Sequence, residues 1–220
     1  MLVQIYEIGT PEEARAIAAL GVDHVGVLVG RGDFPREQGP QQTRAIFAAL
    51  PSRTKRVTLS LSADPAAIAR VIEETAPDII HIGAAAERFG PRESAEVKGR
   101  YPGVRLMRSI PVVDEGSIAF AKAHEGIADF LLLDSHAPGD AQIGALGRTH
   151  DWRLSRRIVE AVALPAILAG GLGSDNVADA IRAVGPAGVD SKTKTDRAGT
   201  HAKDLAKVRA FVEAAKRGIT

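Results

Sequence analysis

The stretch Pro165–Val184 reads PAILAGGLGSDNVADAIRAV. Its apolar run, Pro165 to Ala169, predicts a short buried strand. Gly170 and Gly171 then turn the chain. The Ala-rich stretch from Ser174 to Val184 predicts a helix that buries one face. A strand followed at once by a helix is half of a parallel-sheet crossover. The same unit recurs in both directions. Upstream, strands are expected at Leu2–Tyr6, His24–Val29, Lys55–Leu61, Asp78–Ile82, Val104–Ser109 and Ala128–Leu133; downstream, at Ala187–Asp190. Helices are expected from Pro11 to Gly21, Pro40 to Leu50, Pro65 to Ala76, Ser94 to Arg100, Glu115 to His124, Asp151 to Val162 and Lys203 to Arg217. Thr10 before Pro11, and Asp64 before Pro65, are N-cap residues ahead of a first-turn proline. About eight units in 220 residues predict a single α/β domain over residues 1–220. Its expected form is a (β/α)8 TIM barrel, a closed parallel eight-stranded sheet. An open doubly wound sheet is the alternative. It is disfavoured because the first turn, Glu7-Ile8-Gly9-Thr10, lacks the G-x-G-x-x-G spacing.

Composition narrows the function. Lys plus Arg is 28 and Asp plus Glu is 27, a net charge of +1. No global charge draws the chain to nucleic acid or to an anionic membrane, so any anion site is local. Cysteine is absent, which removes disulfides, thiolate nucleophiles and bases, and thiolate-held metals. No apolar run approaches the ~20 residues of a membrane span. The opening MLVQIYEIGT has no signal-peptide pattern. A cytoplasmic protein is expected, a monomer or homodimer, without cofactor, acting on a phosphorylated or acidic small molecule.

In such a barrel, chemistry belongs at the C-terminal ends of the strands. Gly170 and Gly171 stand between a strand and a helix N-terminus, where backbone N–H groups and the helix dipole favour phosphate. Ser191, Lys192, Thr193 and Lys194 follow the neighbouring strand and add hydroxyls and ammonium groups. Asp134 ends the run Phe130-Leu131-Leu132-Leu133. A carboxylate there, with no helix directly after it to cap, is a candidate for catalysis. His81 and His136 also stand near strand ends. With Glu7 and Asp134 they could form a metal site, although no metal-binding spacing supports one. Arg36, in the loop after the second strand, could grip a carboxylate with its planar fork. Tyr6, Arg108 and His136 are further candidates for substrate contact.

Together these residues resemble the phosphoribosylanthranilate isomerase family of tryptophan biosynthesis. The resemblance is carried by Leu131-Leu132-Leu133-Asp134, by Gly147-Arg148-Thr149-His150-Asp151-Trp152, by Leu168 to Leu172 with Asn176-Val177, and by Gly188-Val189-Asp190. It implies an Amadori rearrangement, in which an N-linked ribose phosphate becomes an open-chain amino-ketose. It also implies that Asp134 is the general acid and that Arg36, after Pro35, binds the anthranilate carboxylate. The family begins K-I-C-G-I-T with cysteine as the base, whereas this chain reads Gln4-Ile5-Tyr6-Glu7-Ile8-Gly9. Tyr6 stands at the base position, and a phenol with pKa near 10 is a poor base. Weak or altered activity is therefore expected, with Glu7 or His81 taking the base role. The family's V-S-S-G-V-E is Ser191 to Asp196 here, with two lysines and no glycine. The alternatives are a divergent enzyme (a lyase, an epimerase or a metal-dependent enzyme) acting on another phosphorylated or acidic small molecule, or a non-catalytic ligand-binding paralogue.

Overall fold

Among the described residues eight strands and eight α-helices alternate. The computed structural model describes residues 1–136, 143 and 149–218. The strands are β1 (Leu2–Ile5), β2 (His24–Leu28), β3 (Lys55–Ser60), β4 (Ile79–Ile82), β5 (Arg105–Pro111), β6 (Phe130–Asp134), β7 (Ala166–Leu168) and β8 (Gly188–Ser191). The helices are α1 (Pro11–Ala19), α2 (Pro40–Ala48), α3 (Pro65–Thr75), α4 (Pro91–Arg100), α5 (Gly116–Lys122), α6 (Trp152–Ala161), α7 (Val177–Val184) and α8 (Leu205–Arg217). Every strand pairs in parallel with its sequence neighbours, and β1 pairs with β8, so the barrel is closed. Among the described residues no helix is long and apolar enough to cross a membrane.

The caps match the sequence reading where a side chain can reach an orphan N–H. Thr10 accepts from Glu13 N at 3.1 Å and Asp64 from Ala66 N at 2.9 Å. Helix α4 starts three residues earlier than expected. Pro91 occupies its first turn, and the Glu93 carboxylate accepts from Gly90 N at 3.0 Å. The proline and this reach-back carboxylate are the start signal, ahead of the first buried side chain at Ser94.

Strand side chains alternate between two cores. Val3, Ile5, Val25, Val27, Ile80, Ile82, Leu106, Ile110, Leu131, Leu133, Leu168 and Val189 face the helices. Val57, Ile79, Met107, Leu132, Ile167, Ala169 and Tyr6 fill the barrel axis. At the N-terminal ends of the strands, three aspartates repeat one device. Asp23 accepts from Val3 N at 2.8 Å, Asp78 from Arg56 N at 2.9 Å and Asp129 from Leu106 N at 2.7 Å. Each carboxylate binds a peptide N–H of the preceding strand and so fixes the pairing of β1 with β2, β3 with β4 and β5 with β6. Carboxylates at this end serve stability, which leaves those at the opposite end for chemistry.

Candidate active site

The mouth of the barrel is built from strand-end residues whose direction follows from the alternation. β1 ends at Ile5, and Tyr6 turns inward. Its ring lies over Gly26 of β2, where a Cβ would stand 2.1 Å from Tyr6 Cδ1. A glycine is therefore required opposite this tyrosine. The Tyr6 hydroxyl is 2.5 Å from His81 Nδ1, and His81 Nε2 is 2.8 Å from Ser109 Oγ. All three side chains are buried. Burial, with the Asp190 charge behind it, pushes the Tyr6 phenol well above its usual 10. Burial, then the Arg108 charge, lowers His81 to about 3. The Tyr6–His81–Ser109 line is neutral at ordinary pH and closes the barrel axis from below.

Glu7 would point outward if β1 continued. Instead it adopts φ of +60°, a left-handed conformation that costs a non-glycine residue about 1–2 kcal/mol. That turn swings its carboxylate to the mouth, where it pairs with Lys192 Nζ at 3.1 Å. Lys192 Nζ also lies 3.5 Å from His201 Nδ1. Lys203, fully buried, fixes this part of the rim by donating to the Lys192 carbonyl at 3.0 Å and to Asp196 at 2.6 Å.

Two connected cavities open here. The larger, about 140 Å³, has an apolar side made by Leu28, Phe34, Pro35, Leu59 and Leu61. Its polar side includes Glu7, Asp134, Asp190 and Lys192, with Tyr6, His81 and Ser109 at its base. The smaller, about 30 Å³, is lined by Gly170, Gly171, Ser191, Thr193 and Lys194. Gly170 and Gly171 both have positive φ, +85° and +63°, which suits glycine alone at low cost. Among the described residues three side chains line both cavities: Asp134, Asp190 and Lys192. Asp134 and Asp190 stand one position beyond the paired row Leu133–Leu168–Val189, on either side of Ala169. Burial, then the charge of Asp134, raises the Asp190 carboxyl well above the ordinary range. A 3.3 Å hydrogen bond donated by Gln4 Nε2 opposes this.

The structure gathers Tyr6, Glu7, His81, Asp134 and the expected phosphate-site residues of β7 and β8 at one mouth. It does not gather the others. Arg108 is turned away from the cavity because it alternates with the inward Met107 and Ser109. Its guanidinium is fully buried behind the barrel, donating to the carbonyls of Ile82, Ala84 and Phe89 at 2.8–2.9 Å. It anchors the β4–α4 connection and does not line the cavity. Arg36 binds Glu13 at 2.5 Å rather than facing the cavity. The same carboxylate accepts from Gly9 N at 2.8 Å and Lys203 N at 2.7 Å, so Glu13 joins the loops after β1, β2 and β8. His136, just past β6, is not among the residues that line the larger cavity. The four-residue metal arrangement does not form, since both ring nitrogens of His81 are engaged. Among the described residues no three His, Asp or Glu side chains are grouped to hold a metal. Gly147 and Arg148 of the sequence motif lie outside the described residues. Asp151 of that motif caps α6 through Arg153 N at 2.8 Å.

Sequence reasoning missed Asp190 as a site residue and Glu13 as a junction. Asp190 carried a signal, a carboxylate closing a buried strand as Asp134 does. Glu13 reads as an ordinary first-turn acid.

A closed parallel barrel with carboxylates, a lysine and a glycine turn at the C-terminal strand ends is an enzyme of the (β/α)8 class. Comparison with known proteins gives the family. The profile described as N-(5'phosphoribosyl)anthranilate (PRA) isomerase matches residues 13–214, and the chain belongs to that family. It is 37% identical over 211 residues to N-(5'-phosphoribosyl)anthranilate isomerase of Methanocella arvoryzae, covering 96% of each chain. It is also 37% identical over 217 residues to the Haloferax volcanii protein of the same name, covering 97% of this chain and 92% of the other. The Pyrococcus furiosus isomerase structure superposes with a TM-score of 0.78 at 25% identity, over 99% of both chains.

Proposed function

We propose that this protein isomerises N-(5'-phosphoribosyl)anthranilate to the open-chain amino-ketose in the cytoplasm, as a step of tryptophan biosynthesis. One observation carries the reading beyond family membership. The mouth is divided in the order the substrate needs: an apolar side for the aromatic ring, a carboxylate-lined middle for the ribose, and a glycine-and-lysine hollow for the phosphate. Asp134, on the strand end that matches the family acid, protonates the ring oxygen. Gly170 and Gly171 allow the phosphate close to the backbone, while Lys192 and Lys194 supply charge. Arg36 reaches the anthranilate carboxylate when it leaves Glu13.

The test is steady-state turnover of N-(5'-phosphoribosyl)anthranilate, followed by the loss of its fluorescence, together with growth rescue of a tryptophan auxotroph lacking the isomerase. Turnover and rescue are expected. A cooperatively melting protein that does neither refutes the proposal. The phosphate placement has its own check. Lys192→Ala with Lys194→Ala should raise KM more than tenfold and weaken its dependence on salt, because a charge pair is lost from the ligand. An unchanged KM refutes that placement.

A further inference from the structure

Resting on the isomerase reading above, we propose that Asp190 is the base that removes the sugar C2 proton, in the role that cysteine of the first strand holds in the family. The argument begins with the place where the proton must go. The ribose joins an aromatic ring to a phosphate, so its reacting carbons lie where the two cavities meet. Among the described residues, Asp134, Asp190 and Lys192 are the side chains that line both. Asp134 is the acid. Lys192 is the cation of an ion pair with Glu7. Asp190 remains.

The other groups near the lost cysteine are engaged elsewhere. The Tyr6 hydroxyl is 2.5 Å from His81, inside a buried and neutral line. His81 has both nitrogens hydrogen-bonded. Glu7 is held by Lys192. Asp190 sits on β8 beside β1, its backbone in register with Gln4, and Gln4 Nε2 orients one carboxylate oxygen at 3.3 Å. Across Ala169, whose side chain ends at Cβ, it faces Asp134. Two strand spacings, about 9–10 Å between backbones, separate the pair and leave room for a sugar between acid and base. Its raised proton affinity makes it a stronger base than a free carboxylate.

The steps balance without a further reagent. The reaction starts from the state with a proton on Asp134 and none on Asp190. Asp134 gives it to the ring oxygen, and the C1–O bond breaks to leave an iminium. Asp190 takes the C2 proton. The C2–H electron pair becomes the C1=C2 bond, and the iminium electrons return to nitrogen. The proton on Asp190 is then delivered to C1 while the 2-hydroxyl proton passes to Asp134. The product is the ketose, and both carboxyls are restored.

The experiment compares the full chain with Asp190→Asn, Asp190→Ala, Tyr6→Phe and Glu7→Gln, each checked by thermal melting. Asp190→Asn should lower kcat by roughly 10²–10⁴-fold, the usual worth of a placed base, with KM within about threefold. Added formate should restore at least tenfold in Asp190→Ala, a response that a structural role would not give. Tyr6→Phe and Glu7→Gln should lose at least tenfold less than Asp190→Asn. Asp190→Asn retaining a tenth or more of the parent kcat overturns the proposal, as does an Asp190→Ala chain that formate leaves unmoved. If neither Asp190 variant folds, a hundredfold loss in Tyr6→Phe or Glu7→Gln overturns it, and smaller losses in both support it. A parent chain with no turnover refutes the isomerase reading itself, a different outcome from turnover that survives without Asp190.

Discussion

Adding one methyl group at Gly26 tests how firmly Tyr6 is set. A Cβ there would lie 2.1 Å from Tyr6 Cδ1 and 2.2 Å from Cε1. Carbon atoms rest at about 3.5–4.0 Å, so the ring must retreat by roughly 1.5 Å. The Tyr6 hydroxyl is held by His81, and the ring packs among Val57, Ile79 and Met107. Retreat therefore breaks the hydrogen bond or displaces the core. Overpacking costs about 1–3 kcal/mol and the lost bond about 1 kcal/mol more, so Gly26→Ala should destabilise by about 2–4 kcal/mol. For a domain of this size that lowers Tm by roughly 4–16 °C. Tyr6→Cys alone opens a cavity and should cost about 3 kcal/mol. The two changes together should cost less than their sum by about 1–3 kcal/mol, since each relieves the other. Urea denaturation of all four chains measures the coupling. A Gly26→Ala protein melting within about 2 °C of the parent, or strictly additive costs, would show that the ring is not fixed against β2.

Arg108→Leu should destabilise by about 3 kcal/mol or more, because three buried carbonyls lose their donor. The same variant, once folded, should keep KM within about threefold; a large rise in KM with unchanged stability would restore Arg108 as a substrate contact. Acid should weaken the fold through the buried histidines. Burial lowers His24 to about 4 and His81 to about 3, so as pH falls below about 6.5 the unfolded chain takes up protons that the native barrel refuses. Each histidine then removes about 1.4 kcal/mol per pH unit until its folded pKa is reached. His24→Gln should flatten the slope of stability against pH between 6 and 4.5 by about that amount, and an unchanged slope would contradict the buried neutral state.

The barrel was legible because each strand–turn–helix unit announces itself locally: an apolar run, a capping residue or proline, and a helix. Asp134 and the Gly170-Gly171 turn were legible for the same reason, since strand ends have a known place in a barrel. The remainder depends on direction. Arg108 looked like a strand-end ligand until the inward Met107 and Ser109 fixed its side as the outer one. Glu7 was ambiguous because alternation would turn it outward, and its left-handed backbone cannot be read from neighbouring residues. Glu13 is a junction only because three loops distant in sequence meet it, and no local pattern encodes that meeting. The weakness expected from Tyr6 assumed that the base had vanished with the cysteine; Asp190 is the residue on which that expectation turns.

The fit of Tyr6 over Gly26 also constrains the history of the site. A tyrosine could enter this position only in a chain that already had glycine opposite, for any other residue would place its Cβ inside the ring. Once tyrosine had entered, replacing the glycine carried the stability cost of displacing the ring. Return to cysteine is likewise impeded, because the first step leaves a hole in the barrel axis before any gain in chemistry. Two neighbouring residues thus act as a ratchet, and the order in which substitutions can be accepted follows from steric overlap alone.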